Sequence, residues 1–325
     1  MNGEHTLAGR SAAGKADAFE PVERLAVLGL GLLGGSVALA ARRRGVARRV
    51  VGAGRRQAPL REALERGVVD EVADVASAVR GADLVLLATP VPAMPGILEV
   101  AAGALEPGAI VTDVGSVKAE LADTLPGLLP PGVEYIGSHP MAGSHLKGVE
   151  HAREEFLEGA CCVVTPLACS DRNAVERLAG FWRALGTRVV ERDPVQHDIE
   201  AAWVSHVPHV LAFAFADALR KAPAGAGTLA GSGFRDFTRI ARSDAELWGD
   251  ILSANRKALA GPLEAFGESL AKLARAIEQG DSEAQEGFLA SARETLSAIA
   301  GARDTSPESV EPASVRAPDS PDPGA

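Results

Sequence analysis

Short apolar runs alternate with helix-like stretches between Arg24 and Asp193. Each run is only a few residues long, which is typical of strands buried inside a sheet. The predicted strands cover residues 25–28, 50–51, 84–88, 110–113, 135–137, 161–165 and 188–190, and helices are predicted over 34–44 and 59–66. Such alternation indicates a parallel, doubly wound α/β sheet.

The pattern becomes helical at Asp193-Pro194. Asp is a favourable N-cap, Pro fits the first helical position, and Gln196 lies three residues after the cap. Helical patterns continue to about residue 302, interrupted by a glycine-rich loop over 222–233. We therefore predict an α/β domain over 22–192 and an all-α domain over 193–302, with disordered ends at 1–21 and 303–325.

Composition argues against several function classes. The 325 residues carry a net charge of −10 and only 4% aromatic residues, which disfavours a nucleic-acid binder. The uncharged run 25–41 contains four glycines, and its basic cluster, Arg42-Arg43-Arg44, comes after the run and not before it, so we expect neither a signal peptide nor a membrane span. The three cysteines form no C-x-x-C pair and favour a reducing cytoplasm.

A G-x-G-x-x-G motif over residues 29–34 joins the first predicted strand to the first predicted helix. In this context the first Gly permits a tight turn, the second lets the backbone approach a pyrophosphate, and the third lets helix and strand pack closely. The helix N-terminus offers N–H groups to the phosphates. We therefore expect a Rossmann-type dinucleotide site. Its predicted cofactor-binding residues are Gly29, Leu30, Gly31, Leu33 and Gly34.

The end of the second predicted strand differs from that of an NAD site. An Asp or Glu is expected there to bind the ribose 2′-hydroxyl, but the chain has Gly54-Arg55-Arg56. Arginine suits a 2′-phosphate. We therefore expect NAD or NADP as cofactor, with a preference for NADP, unless Arg55 and Arg56 are solvated loop residues.

Polar residues follow three further predicted strands. Thr89 directly follows the strand 84–88, and Ser116 and Lys118 follow the strand 110–113, at the sheet edge where α/β proteins bind ligands. We therefore expect Ser116 and Lys118 to meet cofactor or substrate. Ser116 could alternatively serve only as a helix cap. His139 is predicted to lie in a loop after the strand 135–137 of the same sheet, and histidine is well suited to exchange protons near neutral pH. We expect His139 to transfer a proton in an active site.

The helical part contributes two further groups of candidates. In the segment 205–209, His206 and His209 share a helix face, whereas His197 is expected to point almost opposite. No carboxylate or cysteine has matching spacing, so a zinc site is not expected.

The second group is the segment 233–239, Gly-Phe-Arg-Asp-Phe-Thr-Arg. An arginine binds a carboxylate substrate through two parallel hydrogen bonds. The alternative is an internal salt bridge, for instance to Asp236 or Asp244.

Five motifs, in this order, resemble the prephenate dehydrogenase family over about residues 22–300. They are GLGLLGGS at 29–36, DVGSVK at 113–118, SHPMAGSH at 138–145, SHVPH at 205–209 and GFRDFTR at 233–239. The resemblance implies a nucleotide-binding domain followed by a helical domain through which two chains form a homodimer. Apolar positions that recur near helical spacing agree with a further buried face there: Ala201, Val204, Leu211, Phe215 and Leu219.

The resemblance also implies roles for individual residues. His139 corresponds to the family's catalytic histidine, which binds the ring hydroxyl of the substrate, and Ser116 to a serine that helps to orient both. Arg239 corresponds to the arginine that binds the ring carboxylate. His209 and Trp248 match positions that line the pocket near the substrate's side chain.

Together these assignments predict an NAD(P)-dependent oxidative decarboxylation of prephenate to 4-hydroxyphenylpyruvate in tyrosine biosynthesis. His145 occupies a substrate-binding position at which some members have a glutamate. Arogenate carries an ammonium group where prephenate has a keto group, so a non-acidic residue here favours prephenate. The alternatives are arogenate dehydrogenase and a non-catalytic NAD(P)-binding sensor. A 3-hydroxy-acid dehydrogenase would typically use a lysine where the segment 205–209 offers histidines.

Overall fold

The structure, a computed structural model, describes residues 19–144 and 146–304. Its first sheet has six parallel strands in the order β3-β2-β1-β4-β5-β6. The strands are β1 Val22–Leu28, β2 Ala47–Ala53, β3 Glu71–Val72, β4 Leu84–Leu87, β5 Ile110–Asp113 and β6 Glu134–Tyr135. The order reverses between β1 and β4, which is where sheets of this type bind their ligands. The predicted fold class, a Rossmann-type α/β domain followed by an all-α domain, is confirmed.

Three further strands form a second sheet: β7 Gly137–Pro140, β8 Cys161–Thr165 and β9 Arg188–Glu191. β7 pairs antiparallel with β8, and β8 pairs parallel with β9. The prediction of a single parallel sheet that includes these segments is therefore wrong. His139 lies within β7, not in a loop that follows a strand of the first sheet. The apolar runs indicate strands correctly, but they do not specify which strand each one pairs with.

Helices cover both faces of the first sheet. In the α/β region they are α1 Leu32–Arg43, α2 Gln57–Glu65, α3 Val75–Val79, α4 Met94–Ala102, α5 Ala119–Thr124 and α6 Arg172–Ala184. Side chains alternate between the faces of β1: Leu25 and Val27 join one apolar core, while Ala26 and Leu28 join the other. Because both faces are buried, the strand is a continuous apolar run.

The helical region begins at Asp193, as predicted. The Asp193 carboxylate accepts hydrogen bonds from the N–H groups of Val195 and Gln196, and Pro194 is the first helical residue. The helices are α7 Pro194–Ala201, α8 Val207–Ala218, α9 Ser232–Arg239, α10 Ala245–Ala254, α11 Arg256–Glu278 and α12 Ser282–Asp304. A π-helical turn, Ala202–His206, joins α7 to α8. Such turns often occur at functional sites.

The described chain divides into two compact units, one ending at Arg256 and one beginning at Lys257. The second unit is the pair α11 and α12, in which the Gln285 side chain donates a hydrogen bond to the backbone carbonyl of Ala276. α12 continues to Asp304, two residues past the end predicted at 302.

The predicted disordered ends coincide only partly with the described residues. Phe19 packs against the core of the α/β domain, although it lies in the segment predicted to be disordered. Residues 1–18 and 305–325 lie outside the described residues.

Among the described residues, one helical stretch is long and apolar enough to span a membrane by length and composition, Pro194–Lys221. The interior helix of a globular domain passes the same test. This stretch buries His197, Asp198 and His206, and all three form hydrogen bonds within the domain. We therefore assign the stretch to the helical domain.

Candidate active site

The glycine motif forms one wall of a cleft at the carboxyl ends of β1 and β4. Gly29 has a φ of +113°, and a Cβ atom there would lie 2.5 Å from the carbonyl oxygen of Ala88. A Cβ on Gly34 would lie 2.1 Å from the carbonyl oxygen of Gly29. Gly31, the N-cap of α1, differs because a Cβ there would meet no described atom within 4 Å. Gly29 and Gly34 thus permit close packing, while Gly31 leaves the helix N-terminus open to a phosphate.

The cleft has a volume of about 270 Å³ and is lined mainly by apolar residues, among them Leu30. Thr89 also lines it, and the Oγ1 atom of Thr89 is buried without a hydrogen-bond partner among the described residues. A bound ligand would satisfy that hydroxyl. Arg55 and Arg56 are exposed at the cleft, and neither guanidinium group forms an ion pair or hydrogen bond with a described residue. An open helix N-terminus, a buried hydroxyl without a described partner and two exposed guanidinium groups fit a dinucleotide.

Leu33, the fifth residue of the glycine motif, directs its side chain away from the cleft. Its side chain packs against the core of the α/β domain and does not line the cleft. Only its backbone N–H, in the first turn of α1, is placed to bind a phosphate. The predicted cofactor-binding role of Leu33 is therefore assigned to its backbone N–H group, and it stays a prediction.

A buried hydrogen-bond network joins the ends of β5, β6 and β7. Lys118 has no solvent exposure, and its Nζ atom contacts Asp113 Oδ1 and donates to the backbone carbonyl of Ser138 at 2.8 Å. The Tyr135 hydroxyl donates to Asp113 Oδ2 at 2.8 Å. The prediction that Lys118 meets cofactor or substrate is therefore wrong, because its charge neutralises a buried carboxylate. The network holds β7 in place at Ser138, the residue before His139.

His139 lies on β7 with 6% of its surface exposed. The Nδ1 atom of His139 is 2.9 Å from Nε2 of His197, and Nδ1 of His197 is 2.8 Å from Oδ1 of Asp198. The Asp198 carboxylate also accepts two backbone N–H groups at the start of α5, at 2.8 and 2.9 Å. Burial, followed by the electrostatic effect of His197, holds the pKa of His139 well below its usual 6.5. The imidazole is therefore neutral at pH 7.

Asn255 holds a second buried histidine beside this chain of hydrogen bonds. Its side-chain NH₂ group donates to Nδ1 of His206 and to the backbone carbonyl of Asp198, both at 2.9 Å. Burial lowers the pKa of His206 to about 4, although Asp198 and the backbone carbonyl of Ser116 act in the opposite direction. The prediction that His197 and His206 point almost opposite is wrong, because the π-helical turn between them changes the rotation of the helix.

Trp248 connects His206, at the end of the π-helical turn, and His209 of α8 to the loop that carries Ser116. Its ring stacks on His209, with a centroid distance of 3.7 Å and an interplanar angle of 20°. The same ring makes an edge contact with His206 at 5.9 Å. Trp248 is buried and packs against Val117, the neighbour of the half-buried Ser116. The predicted residues Ser116, His209 and Trp248 therefore belong to one cluster.

Arg239 is exposed at the end of α9 and close to that cluster. Burial lowers the pKa of His209, and the charge of Arg239 acts in the same direction. Arg239 forms no ion pair with a carboxylate of the described residues, since Asp244 pairs with Lys147 and Asp236 pairs with no described cation. The alternative of an internal salt bridge is therefore wrong for these residues, and the guanidinium is free to bind an anion.

Sequence reasoning missed His197, Asp198 and Asn255 as site residues. A signal for the first two exists in α7, whose buried residues are Pro194, His197, Asp198 and Ala201. This i, i+3, i+4, i+7 spacing defines a core-facing helix side, so two polar residues on it require internal partners. Asn255 follows α10 and carries no comparable signal. The predicted substrate-binding residue His145 lies outside the described residues.

Two family models match most of the chain. Residues 37–191 match "Prephenate dehydrogenase, nucleotide-binding domain", and residues 193–291 match "Prephenate dehydrogenase, dimerization domain".

Individual similar proteins agree with these family models. The chain is 34% identical over 267 residues to prephenate dehydrogenase of Bacillus subtilis, covering 80% of this chain and 72% of that protein. The crystal structure of prephenate dehydrogenase from Aquifex aeolicus in complex with hydroxyphenyl propionate and NAD⁺ matches with a TM-score of 0.78 and 30% identity, over 85% of this chain and 98% of that one. Synechocystis arogenate dehydrogenase matches with a TM-score of 0.70 and 32% identity, over 86% and 99%.

Proposed function

This chain belongs to the prephenate dehydrogenase family of NAD-dependent oxidoreductases, and on that premise we propose that it converts prephenate to 4-hydroxyphenylpyruvate. The observation that carries the proposal is the buried, neutral His139, held by hydrogen bonds and close to a cluster that ends in Arg239, which pairs with no described carboxylate. Besides binding the cofactor, the protein must supply a base for the hydroxyl proton and a group that binds the ring carboxylate.

The reaction needs little more than orientation and one proton acceptor. Prephenate carries a ring hydroxyl, a ring carboxylate and a pyruvyl side chain. A nicotinamide dinucleotide held at the glycine motif of the cleft would supply the acceptor for the hydride that leaves the carbon carrying the hydroxyl. His139 accepts the hydroxyl proton as the carbonyl develops, which requires the neutral imidazole that burial maintains. The bond between the ring and its carboxylate then breaks, CO₂ leaves, and the electron pair makes the ring aromatic while the ring oxygen takes the proton back from His139. Formation of the aromatic ring supplies the driving force.

The remaining residues bind and orient the substrate. We assign the ring carboxylate to Arg239, because it is an exposed guanidinium without a carboxylate partner among the described residues. His209 and Trp248 form a stacked, partly buried wall beside it. Ser116 lies on the loop that packs under Trp248 and is assigned to orient the hydroxyl. Holding the reacting groups in place in this way contributes several kcal/mol to catalysis.

Steady-state assays with prephenate and with arogenate, each with NAD and with NADP, test the proposed function. We expect formation of the reduced nicotinamide, followed by its absorbance, with prephenate. A higher kcat/KM with arogenate would assign the site to the amino acid instead. A lack of turnover with both substrates and both cofactors would contradict the proposal.

We further propose that NADP is used at least as well as NAD. The carboxylate that usually binds the ribose 2′-hydroxyl is absent after β2, and the unpaired Arg55 and Arg56 lie at the cleft. The double variant Arg55→Asp/Arg56→Ala should shift the ratio of kcat/KM values toward NAD, while Arg61→Ala, on the helix α2 that follows these residues, should leave the ratio unchanged. A wild-type ratio that strongly favours NAD would overturn this preference.

The dimerization domain supports a homodimer, which we propose as the state in solution. Large apolar side chains are exposed on the helical domain, including Trp203, Val204, Phe215 and Phe237. Such a surface typically marks an interface. Light scattering of the full-length protein should give about twice the chain mass of 33.5 kDa. A single-chain mass at micromolar concentration would rule out the homodimer.

A further inference from the structure

We propose that His197 and Asp198 are positioning residues that hold His139 in one tautomer, with its proton on Nδ1 and its Nε2 free to accept a proton. The catalytic part of this inference rests on the proposed function, whereas the tautomer itself can be measured without substrate. The two residues lie side by side on α7, and neither was expected at the site from the sequence pattern.

The directions of the hydrogen bonds follow from the chemistry of Asp198. Both of its carboxylate oxygens accept backbone N–H groups at the start of α5, at 2.8 and 2.9 Å, so the group acts only as an acceptor. His197 must therefore donate its Nδ1–H to Oδ1 of Asp198. In the neutral ring this leaves Nε2 of His197 as an acceptor. His139 must then donate from Nδ1, and its Nε2 keeps a lone pair.

The free nitrogen of His139 is available to a substrate. Nε2 of His139 has no hydrogen-bond partner among the described residues. Nε2 of His206 is buried without a described partner, whereas Nε2 of His139 is not fully buried. A proton passed from the substrate hydroxyl oxygen to this atom produces an imidazolium whose Nδ1–H still points to His197. The Asp198 carboxylate lies beyond and stabilises that charge without accepting a proton itself.

Hydrogen bonds hold Asp198 at two points. Asp198 is fixed at its carboxylate by the start of α5 and at its backbone carbonyl by the side chain of Asn255. His197 has 2% of its surface exposed and Asp198 has 6%. A histidine without such an anchor exchanges between two tautomers, and the one protonated on Nε2 presents a donor where the reaction needs an acceptor. A protonated His197 would have the same unfavourable effect, since it would donate to Nδ1 of His139.

Nuclear magnetic resonance of the full-length protein labelled with ¹⁵N-histidine tests the tautomer directly. The His139→Asn variant identifies the His139 signals. At pH 7 we expect His139 to be protonated on Nδ1 and unprotonated on Nε2, and His197 to be protonated on Nδ1 only. A wild-type His139 protonated on Nε2, or a His197 protonated on both nitrogens, would overturn the proposal whatever the substrate of the enzyme is.

Kinetics of three variants test the consequence for catalysis. His197→Phe removes the acceptor and should lower kcat by on the order of 10²-fold with little change in KM. His197→Gln retains an oxygen acceptor near the position of Nε2 and should recover most of that loss. Gln196→Ala, the exposed neighbour on α7, should behave as wild type. Equal losses in His197→Phe and His197→Gln would contradict a positioning role. Wild-type inactivity with prephenate would instead refute the proposed function and leave the resonance result decisive for the tautomer.

Discussion

Replacing His139 with asparagine should lower kcat by about 10²–10⁴-fold, the usual contribution of a general base. Asparagine can keep a hydrogen bond to His197, but it cannot accept the hydroxyl proton. Because His139 lies on β7 and not on the wall of the nucleotide cleft, the affinity for NAD or NADP should be unchanged. Steady-state kinetics together with calorimetric titration of the cofactor measure both quantities.

The pH profile provides an internal control for this variant. Burial and His197 hold the pKa of His139 below 6.5, so the base stays neutral as the pH falls through that value. The acid limb of kcat/KM in the wild type should therefore lie below pH 6.5, and this limb should be absent in His139→Asn. Near-normal kcat in the variant, with an unchanged melting temperature, would exclude His139 as the base.

Replacing Arg239 with alanine should mainly raise the KM for prephenate, by roughly 10- to 150-fold. The estimate corresponds to about 1.5–3 kcal/mol for hydrogen bonds to a charged group. Arg239 is exposed and forms no ion pair with a described carboxylate, so its removal should leave the stability of the fold nearly unchanged. Arg239→Lys should show a smaller increase, because lysine keeps the charge but loses the two parallel hydrogen bonds.

Arg242→Ala serves as the matched control, since Arg242 is an exposed arginine three residues further along the chain. Its KM should stay within about twofold of the wild type, as expected for a surface substitution without a partner. If Arg239→Ala and Arg239→Lys both retain the wild-type KM, the ring carboxylate binds elsewhere. A large drop in melting temperature in Arg239→Ala would show that the residue is structural.

Much of the fold and part of the site could be predicted because the signals are local. The glycine motif, the cap at Asp193 and the apolar runs each depend on residues that are close in sequence. Proton transfer by His139 follows from its residue type and its predicted position, whereas the substrate groups that His139 and Arg239 bind follow from the resemblance of five ordered motifs and stay predictions. The prediction that Lys118 contacts a ligand is wrong because it assumes an exposed side chain, as is usual for lysine. Here the lysine is buried and pairs with the buried Asp113.

The sequence by itself determined the α/β-then-α order, the dinucleotide motif and the family, because these depend on periodicity, turn chemistry and motif order along the chain. Only the tertiary structure decided that β7 belongs to the second sheet and that the Leu33 side chain packs against the core of the α/β domain. It alone placed His197 and Asp198 next to His139, through a hydrogen bond between residues 58 positions apart. Strand pairing and buried hydrogen bonds join distant segments, and a local pattern specifies that a polar group needs a partner but not which partner it finds.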